Sequence, residues 1–396
     1  MPSEAQKKTL LEMASVLAEL GKANQLRSLE RFEGVNFCSN DYLGLAENLR
    51  LKQAVVDAVE RAARIGGTGS RLLSGHDPAW NELEEEFAAF AGTESAVYFS
   101  SGYAANLGLL TALLRKEDLV FSDALNHASL IDGIRMSGAR RVIFPHLDLN
   151  ALEQNLRARE HESCRKVILT ESLFSMDGDV ADLKAIHALA ARFGASLIVD
   201  EAHATGVHGP RGAGMVAQAG LTGEVLAVMH ACGKAMASAG GFVCGSKTLR
   251  EYLINHARTL IFSTAMPVYM AGQISAVLKI AKQMDRERQM LLGNSCALSD
   301  WLRADAWNVA GAQLQIIPVI IGANEDAMAA ARFLQERAFA VRAIRPPTVP
   351  EGSARLRLSL TARIPLNELQ RLRECLRSWR ASRKNANSLA VAARQA

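Results

Sequence analysis

The sequence predicts an α/β protein: a doubly wound, mainly parallel sheet followed by a smaller C-terminal α+β domain. Three observations carry this. Short apolar segments read as strands at 96–99, 119–122, 142–145, 167–170, 197–199, 225–229 and 242–244, with helical stretches such as 103–114, 150–158 and 183–193 between them. Some of these strands are unbroken apolar runs, Leu197-Ile198-Val199 for example, as in strands buried on both faces. Past residue 266 the alternation stops. A helical pattern over 266–304 precedes strands at 315–321, 341–344 and 356–359. A chain of 396 residues is long enough for two such domains.

The elements follow in order. Residues 1–30 read as helix, and 33–38 as a short strand leading into the turn Asn40-Asp41-Tyr42-Leu43-Gly44. Helical periodicity covers 51–64 and 77–90, the second with Asp77 as cap and Pro78 in its first turn. Between them lies the glycine-rich loop 66–71. The polar, alanine-rich stretch 382–396 reads as a frayed, disordered tail. The expected organisation is an N-terminal arm (1–45), a large domain (46–266), a small domain (267–381) and the tail.

Composition removes several classes. The chain is 49% apolar and 22% charged, with a net charge of +4 spread thinly. Its densest basic cluster (Arg371, Arg373, Arg377, Arg380, Arg383, Lys384) reads as a solvated helix face, so no nucleic-acid partner is expected. The six cysteines form no C-x-x-C pair, which argues against zinc and fits a reducing compartment. No apolar run approaches the ~20 residues of a membrane span. Glu4 and Glu12 interrupt the N-terminal apolar residues, against a signal peptide, so a soluble cytoplasmic protein is expected. Gly67-Thr68-Gly69 does not complete G-x-G-x-x-G because Leu72 stands where the last glycine would be. P-loop and G-x-S-x-G signatures are absent from the sequence.

The chemistry-bearing residues cluster at strand ends. Asp200 and His203 follow the strand 197–199, and Lys234 follows the next, flanked by Gly233 and Ala235. Carboxyl ends of strands are where open α/β sheets bind ligands. A buried Asp needs a cationic or N–H partner. A Lys among small residues suits a Schiff base, and an Asp suits a pyridinium nitrogen, the pair that pyridoxal phosphate (PLP) requires. Ser101-Gly102-Tyr103 opens a helix whose free N–H groups suit a phosphate, although alone it reads as an ordinary strand–helix turn. His127 follows the strand 119–122; a lone His is more often structural, but a ring there suits stacking on a planar cofactor. Glu171 and Ser175 follow the strand 167–170. All these placements fall on one edge of one sheet.

The segments Asn40–Gly44, Gly69–Gly75, Ser101–Tyr103, Asp200–His203, Gly233-Lys234 and Arg345–Pro350 together resemble the α-oxoamine synthases. These are fold type I PLP-dependent transferases that condense an amino acid with an acyl thioester. The resemblance covers roughly residues 25–380. It implies PLP on Lys234, Asp200 on the ring nitrogen, His203 on the ring oxygen and His127 stacked on the ring. It implies Gly102 and Tyr103 beside the phosphate and Ser175 near the ring edge. Lys234 is expected to act afterwards as acid/base, with a pKa lowered by burial beside a cationic ring. Ser263 and Thr264 resemble residues that reach the partner subunit's cofactor, which implies a homodimer with shared sites. Arg357 resembles the clamp on the amino-acid carboxylate. Thr348 and Asn40 are expected to line the substrate site, and Arg27 to touch the acyl chain.

The closer likeness, in Arg345–Leu360 and the Ser-Arg-Leu-Leu-Ser-Gly loop, implies condensation of L-alanine with a pimeloyl thioester, carried on coenzyme A or a carrier protein. Sister condensations share nearly all these residues: glycine C-acetyltransferase, 5-aminolevulinate synthase and serine palmitoyltransferase. A catalytically silent partner subunit is the reading from another class, and the presence of Lys234, Asp200 and His203 together weighs against it. One departure stands out. Family members usually carry Thr or Ser three positions before the lysine, donating to the phosphate; here that place is Ala231, preceded by His230. Weaker PLP retention is expected unless His230 substitutes.

Overall fold

The computed structural model describes residues 2–31 and 33–395, with side chains to Arg383. It divides into two compact units, residues 40–292 with 361–363, and residues 1–39 with 293–360 and 364–396.

The smaller unit holds strand β1 (Val35–Asn36), and the larger holds β2 (Ser95–Phe99), β3 (Leu119–Asp123), β4 (Arg140–Phe144), β5 (Lys166–Glu171), β6 (Ala195–Asp200), β7 (Ala227–Ala231) and β8 (Gly241–Gly245). The seven strands of the larger unit form one sheet in the order β2-β8-β7-β6-β5-β3-β4. The neighbours from β7 through β4 run parallel, while β8 is antiparallel to both β7 and β2. β3, β5 and β7 are buried along their whole length, as their apolar runs require. On one face the helices Gly102–Leu113 and Ala128–Ser137 press Leu109, Leu110, Leu130 and Ile134 onto Val97, Ile198 and Met229. On the other, Phe87 of helix Pro78–Ala91 stacks on Phe242 with ring centres 3.8 Å apart, and Trp80 stacks on Tyr98 at 4.5 Å. Asp77 caps that helix by accepting from the Ala79 N–H, as expected.

The smaller unit adds β9 (Ile316–Gly322), β10 (Phe339–Ala340), β11 (Ala343–Ile344) and β12 (Ala354–Ser359). β12 is the middle strand of an antiparallel sheet between β11 and β9, and β1 pairs with β10 in parallel. Alternation along β12 puts Leu356 and Leu358 on one face and Arg355 and Arg357 on the other, all of them buried.

Several expectations are corrected. The N-terminal helix runs Glu4–Lys22 rather than 1–30, because the chain leaves it through Asn24 at a left-handed φ of 54°. The strand expected at 33–38 is only Val35–Asn36. Residues 1–39 join the smaller unit rather than forming an arm with 40–45. The units part at 292/293 rather than 266/267, because helix Tyr269–Ala281 packs on helices Leu49–Arg61 and Pro78–Ala91. Gly272 makes that approach possible: a Cβ there would stand 2.9 Å from the Ala58 Cβ. The helical pattern over 266–304 is two helices, Tyr269–Ala281 and Asp285–Ala304. The strand expected at 225–229 lies at Ala227–Ala231, which brings His230 and Ala231 into the sheet. The stretch expected as a frayed tail continues the helix Leu366–Gln395; Lys384 of the basic cluster lies beyond the described side chains.

Just past the end of β4, His146 bridges two carboxylates, 2.8 Å from Asp123 at the end of β3 and 2.8 Å from Asp179. Burial opposes its charge, but hydrogen bonds to both carboxylates outweigh burial and raise its pKa from 6.5 to about 10. A raised pKa contributes stability that is complete below pH 6.5 and disappears as pH rises to about 10. The stability gap between wild type and His146→Leu in urea unfolding should therefore narrow steadily between those values. A gap that stays constant would remove this bridge from the pH dependence of folding.

Candidate active site

The parallel strands end on one edge, and the N-termini of helices Gly102–Leu113 and Ala128–Ser137 open onto that edge. A cavity of about 380 Å3 lies there, its wall including Gly102, Tyr103, His127, Asp200, His203 and Lys234. Such a volume suits a small cofactor. A larger hollow of about 530 Å3 lies at the opposite ends of β6 and β7, beside Ala195 and Leu226, away from the Asp200–Lys234 edge.

Asp200 is the last residue of β6 and is 3% exposed. One of its oxygens accepts from the Ala202 N–H at 2.8 Å, the other from the Asn106 amide at 2.7 Å. Both donors are neutral. A buried carboxylate held in this way fits a cationic N–H group brought by a ligand. The register of β5 against β6 sets Glu171 directly beside it. Burial, then the neighbouring Asp200 charge, raises the Glu171 pKa well above the usual carboxylate range.

His127 caps helix Ala128–Ser137 with its own ring: Nδ1 accepts from the Ser129 N–H at 3.2 Å. Its backbone N–H donates to Glu171 at 2.6 Å. Burial lowers its pKa, so the ring is neutral near pH 7. Tyr103 meets it edge-on with centres 6.3 Å apart, and the Tyr103 hydroxyl bonds Asp132.

Lys234 follows β7, and its Nζ lies 3.0 Å from His203 Nε2. His203 Nδ1 lies 2.6 Å from the Tyr42 hydroxyl. After Lys234 the chain turns sharply through Ala237 (φ 41°), and the Ser238 N–H donates to the Cys232 carbonyl. This return brings Ser238, Ala239 and Gly240 into the cavity wall, with Gly240 bridged to Ser101 beside Gly102.

Gly102 and Tyr103 occupy the first turn of their helix, where N–H groups lack helical acceptors. A Cβ on Gly102 would stand 3.3 Å from the Ala231 Cβ, so the backbone comes close to β7 here. Ala231 lines the cavity and offers no donor. His230 does not replace it. Strand alternation turns His230 to the other face of the sheet, where it packs against Phe87 and bonds Thr205 at 2.9 Å. Burial there drives its pKa down to about 3. The wall nevertheless holds two buried polar atoms without protein partners, Ser238 Oγ and Asn106 Oδ1. Orphaned buried polar atoms in a cavity wall fit a polar ligand. The N–H groups of Gly102 and Tyr103, the Ser238 hydroxyl, the Asp200 carboxylate and the lysine fit PLP.

Of the expected site residues, Lys234, His127, Asp200, His203, Gly102 and Tyr103 are brought together in this one wall. Ser175 lies in the loop after β5, outside it. Ser263 and Thr264 line a separate small hollow with Arg71, Tyr98 and Ser100. Asn40 stands within the larger unit, its Oδ1 3.1 Å from the Tyr42 hydroxyl. Arg27, Thr348 and Arg357 belong to the smaller unit. There Arg27 reaches the Thr348 hydroxyl at 3.3 Å, and Arg357 donates to Ser359 at 2.8 Å.

The wall also contains Asn106, Ser129 and Ser238, which sequence reasoning missed. Asn106 had a signal: it is a polar residue on the apolar face formed by Ala105, Leu109 and Leu110. Ser238 had none, since only the return of the chain on Cys232 puts it there.

Comparison with known proteins agrees with this geometry. The profile of the family "Aminotransferase class I and II" matches residues 33–376. The 8-amino-7-oxononanoate synthase of Burkholderia vietnamiensis is 45% identical over 348 residues, 86% of each chain. That of Geobacter sulfurreducens is 43% identical over 341 residues, 86% of this chain and 87% of its own. Among solved structures, the serine palmitoyltransferase of S. paucimobilis with bound PLP and myriocin is 26% identical, with a TM-score of 0.86 over 94% of this chain and 97% of the other. The 8-amino-7-oxononanoate synthase of Francisella tularensis is 28% identical, with a TM-score of 0.77 over 89% and 99%. The chain thus belongs to the class I and II aminotransferase family of fold type I PLP-dependent enzymes, and within it to the α-oxoamine synthases.

Proposed function

We propose that this chain is an 8-amino-7-oxononanoate synthase of biotin biosynthesis, condensing L-alanine with a pimeloyl thioester and releasing carbon dioxide and the thiol. The observation that carries the reading is the strand-edge cavity shared by Lys234, Asp200, His203 and His127, in a chain 45% identical to such a synthase. Identity favours this reaction through the sequence relatives, 8-amino-7-oxononanoate synthases at 43% and 45%; the solved structures, a synthase at 28% and a serine palmitoyltransferase at 26%, share the fold without separating the two reactions.

When bound, PLP supplies a cationic ring that takes up the electron pair released as a bond to the amino acid's α-carbon breaks. Lys234 would anchor it through Nζ and afterwards take and return a proton at that carbon. Asp200 would receive the ring N–H and keep the ring cationic. His127, whose pKa burial lowers, would cover one ring face without repelling its charge. Gly102 and Tyr103 would offer N–H groups to the phosphate. Ser238 is our candidate for the donor that Ala231 lacks. Arg357, Thr348, Asn40 and Arg27 are the substrate contacts that the family resemblance implies, with Arg357 on the amino-acid carboxylate. Ser175 keeps its place near the ring edge on the same ground.

A homodimer with shared sites belongs to this reading. It is supported by Ser263 and Thr264, which stand outside their own chain's cavity. It is also supported by helix Glu4–Lys22, which exposes Leu10, Leu11, Met13, Val16 and Leu17.

Three measurements test the reading. Thiol release from pimeloyl-coenzyme A or the pimeloyl carrier protein should be fastest with L-alanine; a faster rate with glycine or L-serine would move the enzyme to a sister reaction. Borohydride reduction of the PLP-loaded protein should label Lys234, and Lys234→Ala should lose the label, whereas a label elsewhere would refute the anchor. Ser238→Ala should raise the PLP dissociation constant by about 2–10-fold, the loss of one hydrogen bond. An unchanged constant would remove Ser238 from the phosphate.

A further inference from the structure

Lys234, His203, Tyr42 and Asn40 form a continuous hydrogen-bonded chain. Lys234 Nζ stands 3.0 Å from His203 Nε2, His203 Nδ1 stands 2.6 Å from the Tyr42 hydroxyl, and that hydroxyl stands 3.1 Å from Asn40 Oδ1. Tyr42 and His203 are both buried. Donor and acceptor chemistry orders the protons along these three links. An amide oxygen can only accept, so the Tyr42 O–H donates to Asn40. The Tyr42 oxygen then accepts from His203, which places the ring proton on Nδ1. Nε2 is left bare and accepts from the lysine. Every link is satisfied by a neutral imidazole in a single tautomer.

The same residues support the opposite arrangement. Rotation about one bond turns the Tyr42 O–H from Asn40 to His203 Nδ1. The ring proton then sits on Nε2, which becomes a donor facing the cavity. A hydroxyl is suited to this because it both donates and accepts. A carboxylate at position 42 would fix one tautomer and favour a charged ring.

We propose that Tyr42 is a positioning residue that sets the tautomer of His203, so that Nε2 accepts from Lys234 in the cofactor-free chain and donates to the cofactor's ring oxygen once PLP is bound, with the imidazole neutral in both. The donor half rests on the PLP reading; the acceptor half rests on the geometry of this chain alone.

Nitrogen-15 NMR of histidine-labelled protein reads both halves, with His203→Gln identifying the signals. In the cofactor-free wild type, His203 should show a protonated Nδ1 and a bare Nε2. Loading with PLP, verified by absorbance, should exchange the two. Tyr42→Phe, which removes the acceptor for the Nδ1 proton and leaves only Lys234 to favour it, should weaken the Nδ1–H preference before loading. If Tyr42→Phe fails to fold, Asn40→Leu removes the acceptor that draws the hydroxyl proton, and should move cofactor-free His203 toward Nε2–H. Tautomers unaffected by these substitutions would overturn the role of Tyr42. A wild type that binds PLP yet keeps Nδ1–H would overturn the switch while leaving the PLP reading intact. Failure of PLP to bind, with the cofactor-free tautomer as expected, would overturn the donor half together with that reading.

Discussion

Strands β5, β6 and β7 run parallel in a register that sets Glu171 beside Asp200 and Asp200 beside Met229. The site depends on this arrangement. Two carboxylates taken from water side by side cannot both be charged without a large cost. The structure divides them. Burial and the Asp200 charge raise the Glu171 pKa, while Asp200 collects N–H donors from Ala202 and Asn106. Glu171 in turn receives the His127 backbone N–H, which seats that ring at the helix start. Asn106 ties Asp200 to Ser129, and Ser129 ties back to His127. A single register thus positions the carboxylate, the stacking ring and the polar groups between them.

The position three before the lysine illustrates how a lost donor can be offset. Ala231 cannot bond a phosphate, and His230 is committed to the far side of the sheet against Phe87 and Thr205. Strand geometry dictates this, since neighbouring side chains on a strand face opposite ways. The loop after Lys234 returns through Ala237 and delivers a buried hydroxyl to the same wall. That hydroxyl is the basis for proposing Ser238 as the donor that Ala231 lacks.

The smaller unit follows different physics. Its middle strand β12 buries Arg355 and Arg357 in a sheet of otherwise apolar strands. Buried guanidinium groups need partners: Arg355 uses Ser353, and Arg357 uses the Ser359 hydroxyl. A buried charge adds little net stability, so nothing in the packing of Arg357 opposes the carboxylate-binding role proposed for it.

Local sequence determined the alternation of strands and helices, the Asp77 cap, the strand-end places of Asp200, His203 and Lys234, and, through the combined motifs, the family. These signals are short-range: apolar runs, capping residues and the polar residue that ends a strand. Element limits were less legible. The N-terminal helix stops at Lys22 because of a left-handed turn at Asn24, and the C-terminal helix persists to Gln395 where composition suggested fraying. Only the tertiary structure decided that Asn106 reaches Asp200, that His230 turns away from the cavity, that Ser238 enters it, and that Tyr42 meets His203 across most of the larger unit's sequence. The reason is physical. Hydrogen bonds between residues distant in sequence are fixed by strand register and chain return, and those follow from the packing of the whole sheet rather than from any local pattern.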